Sequence, residues 1–301
     1  MYWVVGIVQP QVYRVSFLLI ALVLTFVLYP GKPSWRRRVM ASDWALAAVA
    51  ALVLAWPIFD FDQFVYRAAT PSELDILFGA VTIILVVEAT RRTVGWILPG
   101  TAIAFLLYGY YGPVLELVGL DIFAHRGYTV GRLVGTLYMT LEGIFGVPLD
   151  VASTYIVLFT IFGAMLQHSG AAQFFITWTM AAFGGSNSGA GPGRTVTMSG
   201  FLLGTVSGSG VATTVTLGAV AWPMLRRSGF SPEVGGAILS ASGIGAILAP
   251  PTMGAAAFLI AEFLQITYLQ VISMAIVPAI LYYLSIVLMI EADARRLGTK
   301  A

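Results

Sequence analysis

The sequence contains no cysteine and only two histidines, His125 and His168. The absence of cysteine excludes disulfides, thiolate metal sites and a cysteine nucleophile. The two histidines are far apart in the sequence and have no clustered ligands beside them, which argues against a histidine metal site. The sequence also shows no Ser-His-Asp or paired-carboxylate arrangement, so it does not favour an enzyme embedded in the membrane.

Charge is scarce as well. Charged residues form 10% of the chain and hydrophobic residues 58%, with a mean hydropathy of +0.89. A soluble domain carries about 25% charged residues, so this balance is wrong for a water-exposed surface. At about 20 apolar residues per span, the length leaves room for roughly eight to ten passes. The net charge of +2 is too small to indicate a nucleic-acid partner. The composition therefore predicts an all-α integral membrane protein surrounded by the lipid bilayer.

Apolar runs separated by polar or basic residues predict the individual helices. We expect five single spans before a shorter amphipathic helix at 171–183. Ahead of the fifth span, Arg126, Arg132 and Glu142 interrupt the apolar stretch 125–145, a pattern typical of a helix lying at the membrane surface. The five spans are predicted at about residues 12–29, 43–59, 74–89, 94–111 and 151–167.

The basic clusters give the orientation, because lysine and arginine concentrate on the cytoplasmic side of membrane proteins. One choice of membrane topology places every basic cluster on the cytoplasmic side. It also places Met1 outside, which predicts a further span upstream. The clusters are Arg36–Arg38, Arg91–Arg92, Arg194 with Arg226–Arg227, and Arg295–Arg296 with Lys300.

The segment Arg194–Arg227 is apolar enough to enter the membrane, yet both its ends are basic. Its middle is dense in glycine and serine, which favours a re-entrant hairpin of two arms of about twelve to fifteen residues joined by a tip. The arm starting near Gly210 would direct its positive end at the tip, where an anion can rest. Nearby hydroxyls can hold a small cation. The alternative is one glycine-rich helix packed closely on a neighbour.

The next segment, Ser231–Gln265, contains a second interruption. Pro250 and Pro251 remove two amide donors from the middle of an apolar run and so break the helix. We expect the second half-helix to begin near Pro251, a favourable first-turn position for proline. Two consecutive broken segments indicate a transporter binding site, whereas a proline kink without a ligand is the alternative. The candidate ion and substrate residues are Ser207, Gly208, Ser209, Thr213, Gly243, Gly245, Ala249, Pro250, Pro251 and Thr252.

A series of short motifs, taken in order and spacing, carries a family resemblance. The motifs are Val87–Arg92 with Gly95, His125–Tyr128, Glu142–Gly146, Phe162–Ala164, Ser207–Ser209, Pro250–Phe258, Ala261–Phe263 and Pro278–Tyr283. With them the sequence resembles the tripartite ATP-independent periplasmic (TRAP) transporters, and especially their fused permease subunits of the TAXI type.

The resemblance implies a permease of the bacterial inner membrane that imports small organic anions, usually carboxylates. It implies an elevator motion, sodium as the coupling ion without another cofactor, and delivery of the solute by a periplasmic binding protein. Sodium would bind at Ser207, Ser209 and Gly245. Residues 1–112 would correspond to the small subunit, 113–146 to a linker with the surface helix, and 147–301 to the first repeat of the large subunit. That repeat would hold the hairpin at 194–227, the broken helix at 231–265 and a final span at 268–290.

Two departures from the family pattern bear on these expectations. Thr213 stands where many members have asparagine, and Gly245-Ala246-Ile247 stands where they have Gly-Gly-Gln, so coupling to protons is the alternative to sodium. The second inverted repeat is also absent, which predicts half of a transporter that works with its missing half. The remaining alternatives are a non-catalytic scaffold or assembly subunit and an inactive truncated half-transporter.

Overall fold

The structure, a computed structural model, describes residues 9–31, 40–117, 119–183 and 189–297. These residues form helices and connecting turns, with no strand among them. The chain divides into two units, residues 1–153 and residues 154–301. Several residues named above lie outside the described residues: Met1, the basic cluster Arg36–Arg38 and Lys300.

The first unit begins with two long helices joined through residues 29–40. Its helices are α1 (Pro10–Leu28), α2 (Ala41–Phe59), α3 (Phe61–Tyr66), α4 (Glu73–Val94), α5 (Ile97–Leu117), α6 (Val130–Val134, continued by a π turn at Gly135–Met139) and α7 (Val147–Val151). A second π turn at Ala152–Ile156 leads into the second unit. That unit holds α8 (Val157–His168), α9 (Ala171–Phe183), α10 (Gly191–Ser207), α11 (Gly210–Arg227), α12 (Pro232–Ile244), α13 (Ala255–Phe263) and α14 (Tyr268–Leu297).

In the part of the chain that the structure describes, five stretches of helix are long and apolar enough to cross a membrane. They are Pro10–Leu28, Ala41–Phe59, Ile97–Glu116, Val147–Met165 and Tyr268–Arg296. Much of their apolar surface faces outward, as in Leu24, Leu52 and Leu281, each at least half exposed. A bilayer accepts such a surface, whereas water does not. The predicted class, an all-α integral membrane protein, is confirmed.

The core of the first unit is formed where α1, α2 and α4 pack together. On α1 the buried side chains recur at helical spacing, at Val15, Leu18, Leu22 and Phe26. This 3–4 residue period aligns one face of the helix with its neighbours. The opposite face of α1 stays free to contact lipid.

Helix α4 carries charges near both ends, and the unit pairs them internally. Near its end, Arg92 is only 5% exposed and binds Asp43 at 2.7 Å and Glu88 at 2.8 Å. Near its start, the fully buried Asp75 accepts hydrogen bonds from Trp56 Nε1 and Arg67 Nε, each at 2.9 Å. Paired charges are far cheaper to bury than isolated ones, so α4 can lie in an apolar layer despite its sequence. Glu88 in turn pairs with both Arg91 and Arg92, at 2.7 and 2.8 Å.

The predicted surface helix at 125–145 is shorter than expected. Helix starts only after Thr129, whose side chain caps the amide of Arg132, and the π turn ends at Met139. Tyr138 is fully buried and donates to the Val53 carbonyl at 2.6 Å. The segment therefore packs partly into the core, where Val134 and Tyr138 lie against Gly79 of α4, a contact that the sequence pattern alone does not reveal.

The second unit places α10, α11 and α12 side by side, with α14 beside α10 and α12. Its core contains Leu203, Leu217, Ile238 and Ile286, one from each of these four helices. At one end of this packing, Arg194 on α10 forms an ion pair with Glu291 on α14. The helices thus hold the two predicted interruptions, between α10 and α11 and between α12 and α13, within one packed body.

Candidate functional site

The hairpin tip lies between α10 and α11. Helix α10 ends at Ser207, Gly208 adopts a left-handed conformation with φ of 60°, and α11 begins at Gly210. Ser209 is the N-cap of α11, and its Oγ accepts a hydrogen bond from the Ala212 amide at 3.3 Å. The predicted break is present. The arms contain 17 and 18 residues, longer than expected.

The hydroxyls predicted at the tip form one hydrogen-bonded cluster. Ser207 Oγ accepts hydrogen bonds from the Ser209 amide at 3.1 Å and from Thr213 Oγ1 at 3.0 Å. It donates in turn to the Ser209 carbonyl at 3.1 Å. Ser209 is exposed, whereas Thr213 is 2% exposed. The tip therefore brings several polar oxygens together at the start of α11. Those of Ser209 belong to an exposed residue, whereas the Thr213 hydroxyl is buried.

The second interruption follows α12. A 3-10 turn covers Gly245–Ile247, the Pro250–Pro251 peptide is cis, and α13 starts at Ala255. The prediction that helix resumes near Pro251 is wrong. Met253 has a left-handed φ of 46° and Gly254 is extended, so the backbone cannot enter a helix before Ala255.

The two interruptions adjoin each other. Thr252, 5% exposed, donates its Oγ1 hydrogen to the Thr205 carbonyl at 2.8 Å, and Gly204 offers a second carbonyl at 3.2 Å. Both carbonyls belong to the last turn of α10; that of Gly204 also accepts the Gly208 amide at 3.1 Å. The hydroxyl thus ties the break in one helix to the tip of the hairpin.

Glycines allow this approach. A Cβ atom added to Gly204 would lie 2.7 Å from the Ala246 Cα atom, and one on Gly210 would lie 3.1 Å from the Ile244 Cα atom. Gly243 lies directly against Thr214, so it belongs to the packing of α12 on α11 and not to the break itself. Of the ten predicted residues, nine lie at the tip, the 3-10 turn or the break, and Gly243 lies in the helical turn before it.

Several backbone carbonyls at the break already accept hydrogen bonds from the chain. The carbonyl of Gly245 accepts from the Leu248 amide at 3.0 Å, and that of Ala249 from the Met253 amide at 3.2 Å. Tyr268 donates its hydroxyl to the Pro251 carbonyl at 2.7 Å. Each carbonyl oxygen retains a second lone pair, so an ion would have to use that lone pair or displace a donor.

Three tyrosines at the site escaped the sequence argument. Tyr268 contacts the Pro251 and Thr252 carbonyls, Tyr282 donates to the Ala241 carbonyl at 2.8 Å, and the Tyr283 hydroxyl lies 3.5 Å from the Ser242 carbonyl. Tyr282 and Tyr283 lie within the family motif Pro278–Tyr283, and this motif was the sequence signal that could have pointed to them. All three come from α14, whose position over the break is a matter of tertiary structure.

The chemistry at this junction is that of neutral oxygens and amides. Within the described ranges, histidine, aspartate and glutamate form no group of three or more arranged to hold a metal ion. Arg194, Arg226 and Arg227 lie at the far ends of α10 and α11, away from the tip. Hydroxyls, carbonyls and the first amides of α11 are the groups left to meet a ligand, a set that suits sodium or a carboxylate.

A sequence model of the family described as "Tripartite ATP-independent periplasmic transporter, DctM component" matches residues 81–301, most of the chain and all of the second unit. The chain belongs to this family. Membership of the DctM family confirms the TRAP part of the resemblance, and the TAXI subtype stays a prediction.

One relative carries a specific name. The chain is 31% identical over 151 residues to the C4-dicarboxylate TRAP transporter large permease protein DctM of Rhodobacter capsulatus, across 46% of this chain and 32% of that protein. The chain thus matches about a third of the length of this curated relative. No solved structure matches.

Proposed function

We propose that this DctM-family chain is a permease component of a secondary importer for small organic anions, most simply carboxylates, in a bacterial inner membrane. The observation that carries the proposal is the hydrogen bond from Thr252 to Thr205, because it joins two interrupted helices at one place. Paired broken helices form the binding site in transporters of several folds. The name of the Rhodobacter capsulatus relative, a C4-dicarboxylate permease, supports the solute class.

The anion would rest at the start of α11. Ser209 is exposed there, and the first amides of α11 direct partial positive charge toward the tip. A carboxylate needs such donors because no arginine of α10 or α11 reaches this end of the hairpin. We propose that Ser209 and the amides after it contact the solute, with Gly208 giving the backbone its turn.

We propose sodium as the coupling ion, held by oxygens of Ser207, Ser209 and Gly245. None of the ten candidate residues ionises, and a proton carrier requires a titratable group. Proton coupling is the alternative, because Thr213 and Ile247 replace the amide side chains of many family members. It would have to use a carboxylate such as Glu262 on α13.

The transporter would work by an elevator motion together with other parts. We propose that residues 1–112 act as the small-subunit region, that residues 147–301 act as the first repeat, and that a second repeat completes the site. The match of the DctM model to residues 81–301 supports the assignment of residues 147–301 to the large permease component. A periplasmic binding protein would deliver the solute, and the TAXI subtype belongs to the same proposal.

The test is uptake of labelled dicarboxylates into proteoliposomes that contain the chain with its partner proteins. Sodium and proton gradients are applied separately. Ser209→Trp should abolish uptake while the protein still inserts, because the indole would fill the tip. Val215→Trp is the matched control, since Val215 lies on the same helix and is 68% exposed. Normal uptake by the Ser209 variant would remove the hairpin tip from the transport site and favour the scaffold interpretation.

A further inference from the structure

The first unit contains two neighbouring cavities that share one arginine. One cavity, of about 610 Å³, is apolar and lies between α4, α5 and α6, with Val86, Phe105 and Leu106 in its walls. The other, of about 510 Å³, is lined by Thr70, Thr129 and Thr140 among others. Arg132 and Thr136 line both. A long apolar slot thus opens beside a hydroxyl-rich chamber, with a guanidinium at the junction.

The two cavities together extend along α4 over a length comparable to that of a lipid acyl chain. The polar cavity reaches Ile76 near the start of α4, and the apolar cavity reaches Val87 near its end. By the positive-inside rule, the end of α4 with Arg91 and Arg92 is cytoplasmic, so the polar cavity lies toward the external surface. From Ile76 to Val87 is about 16 Å of helix, a length that suits an acyl chain running from the surface into the bilayer.

Arg132 differs from Arg14 and Arg67, two other arginines of this external side. Arg14 is paired with Asp150 at 2.9 Å, and Arg67 is paired with Asp75 and Asp60. Arg132 is exposed, lies 5.7 Å from the centre of the Tyr128 ring and forms no ion pair with any described residue. An aromatic ring beneath a guanidinium fixes its plane and leaves its N–H groups pointing outward. Its charge is therefore available to an anion from outside the chain.

A carboxylate lies in the same lining. Glu142 faces the apolar cavity, is exposed, and, like Arg132, has no ion-pair partner among the described residues. A cavity lined by one cation and one anion complements a headgroup that carries both a phosphate and an amine. Arginine binds phosphate through paired N–H groups, and a carboxylate accepts hydrogen bonds from a protonated amine.

We propose that the first unit binds an ethanolamine phospholipid of the external leaflet. The phosphate would lie on Arg132 and the threonine hydroxyls, the ammonium on Glu142, and one acyl chain in the slot between α4 and α5. The apolar cavity supplies room for the chain, and the charge pattern selects the headgroup. The bound lipid would fill a gap in the side of the membrane domain that the chain's own side chains leave open.

The experiment uses the purified full chain in detergent and native mass spectrometry. Equal amounts of dioleoyl phosphatidylethanolamine, phosphatidylcholine, phosphatidylglycerol and dioleoylglycerol are added in separate titrations. Phosphatidylethanolamine should bind most tightly, and dioleoylglycerol, which lacks phosphate, most weakly. Arg132→Gln should weaken binding of phosphatidylethanolamine about tenfold, the loss expected for one charge-assisted hydrogen bond.

The matched control is Arg126→Gln. Arg126 is exposed and unpaired in the same way, but it lines neither cavity, so its variant should bind lipid like the wild type. Glu142→Gln should keep phosphatidylglycerol and lose the preference for ethanolamine over choline. Equal effects of the Arg126 and Arg132 variants, or equal binding of dioleoylglycerol and phosphatidylethanolamine by the wild type, would overturn the proposal.

A second variant distinguishes a loss of lipid binding from a loss of folding. Ala102→Trp leaves every charge in place and fills the slot, because Ala102 is an exposed residue in the apolar lining. It should exclude all the phospholipids while retaining the thermal unfolding profile of the wild type. If it binds phosphatidylethanolamine as before, the chain does not enter this cavity and the site is not the one described.

Discussion

Thr252 Oγ1 lies 2.8 Å from the carbonyl oxygen of Thr205, 47 residues earlier in the chain. This single hydrogen bond connects the turn after Pro251 to the last turn of the first hairpin arm. Both partners lie where a helix is interrupted. Without this bond, polar groups at the two interruptions would lack a hydrogen-bond partner inside an apolar body. Each interruption therefore helps to satisfy the other.

Replacing Thr252 by valine should destabilise the second unit. The shapes are nearly equal, but the Gly204 and Thr205 carbonyls would lose a buried donor, at a cost of about 1–3 kcal/mol. Titration with sodium dodecyl sulfate measures the free energy of unfolding. Thr205→Val is the control, because that hydroxyl bonds locally to the Leu202 carbonyl. Equal losses for the two variants would show that the link between the segments contributes nothing specific.

Gly208→Ala should destabilise the tip more than a comparable change elsewhere. Gly208 has a φ of 60° and lies against the Met253 carbonyl. A left-handed conformation costs a residue with a Cβ about 1–2 kcal/mol, and the steric contact adds to this cost. Gly236→Ala, in α12 with open space around the added carbon, should be neutral or stabilising by up to about 1 kcal/mol. Thermal unfolding of both variants in detergent makes the comparison.

Single cysteines can report on the tip, because the natural chain has none. Ser209→Cys should react with a water-soluble maleimide, since Ser209 is exposed in this structure. Thr252→Cys should react slowly, because Thr252 is 5% exposed, and faster when solute or sodium moves the hairpin away from the break. A Ser209 cysteine that never reacts, under any gradient, would place the tip against lipid and exclude an aqueous site.

Removing the buried arginine from the ionic cluster at the end of α4 should destabilise the first unit. Arg92→Gln leaves the buried Asp43 without its cation, and breaking a buried pair costs about 3–5 kcal/mol. Arg91→Gln is the control, because Arg91 is 26% exposed and its loss should cost about 1 kcal/mol or less. Unfolding titrations of the two variants should differ accordingly. A double variant with Asp43→Asn should recover part of the loss; full additivity would mean that the two charges do not interact.

Some of the site follows directly from local sequence. A dense run of glycine and serine around Gly208, and two consecutive prolines at Pro250–Pro251, both disfavour continued helix, so both breaks are predictable from local sequence. The restart of α13 is different. It follows from the left-handed backbone of Met253 and the extended backbone of Gly254, which delay the first helical residue from Pro251 to Ala255 and which residue type does not predict. The tyrosines of α14 were missed for the same reason, since nothing near Tyr268 in the sequence refers to the Pro251 carbonyl.

The sequence by itself determined the membrane class and the places where helices stop. Both are local properties, because hydropathy adds along the chain and glycine or proline acts on its own backbone. Only the tertiary structure decided which oxygens are engaged. Hydrogen bonds such as Thr252 to Thr205, and ion pairs such as Arg92 to Asp43, join residues far apart in sequence, and packing alone brings them within bonding distance.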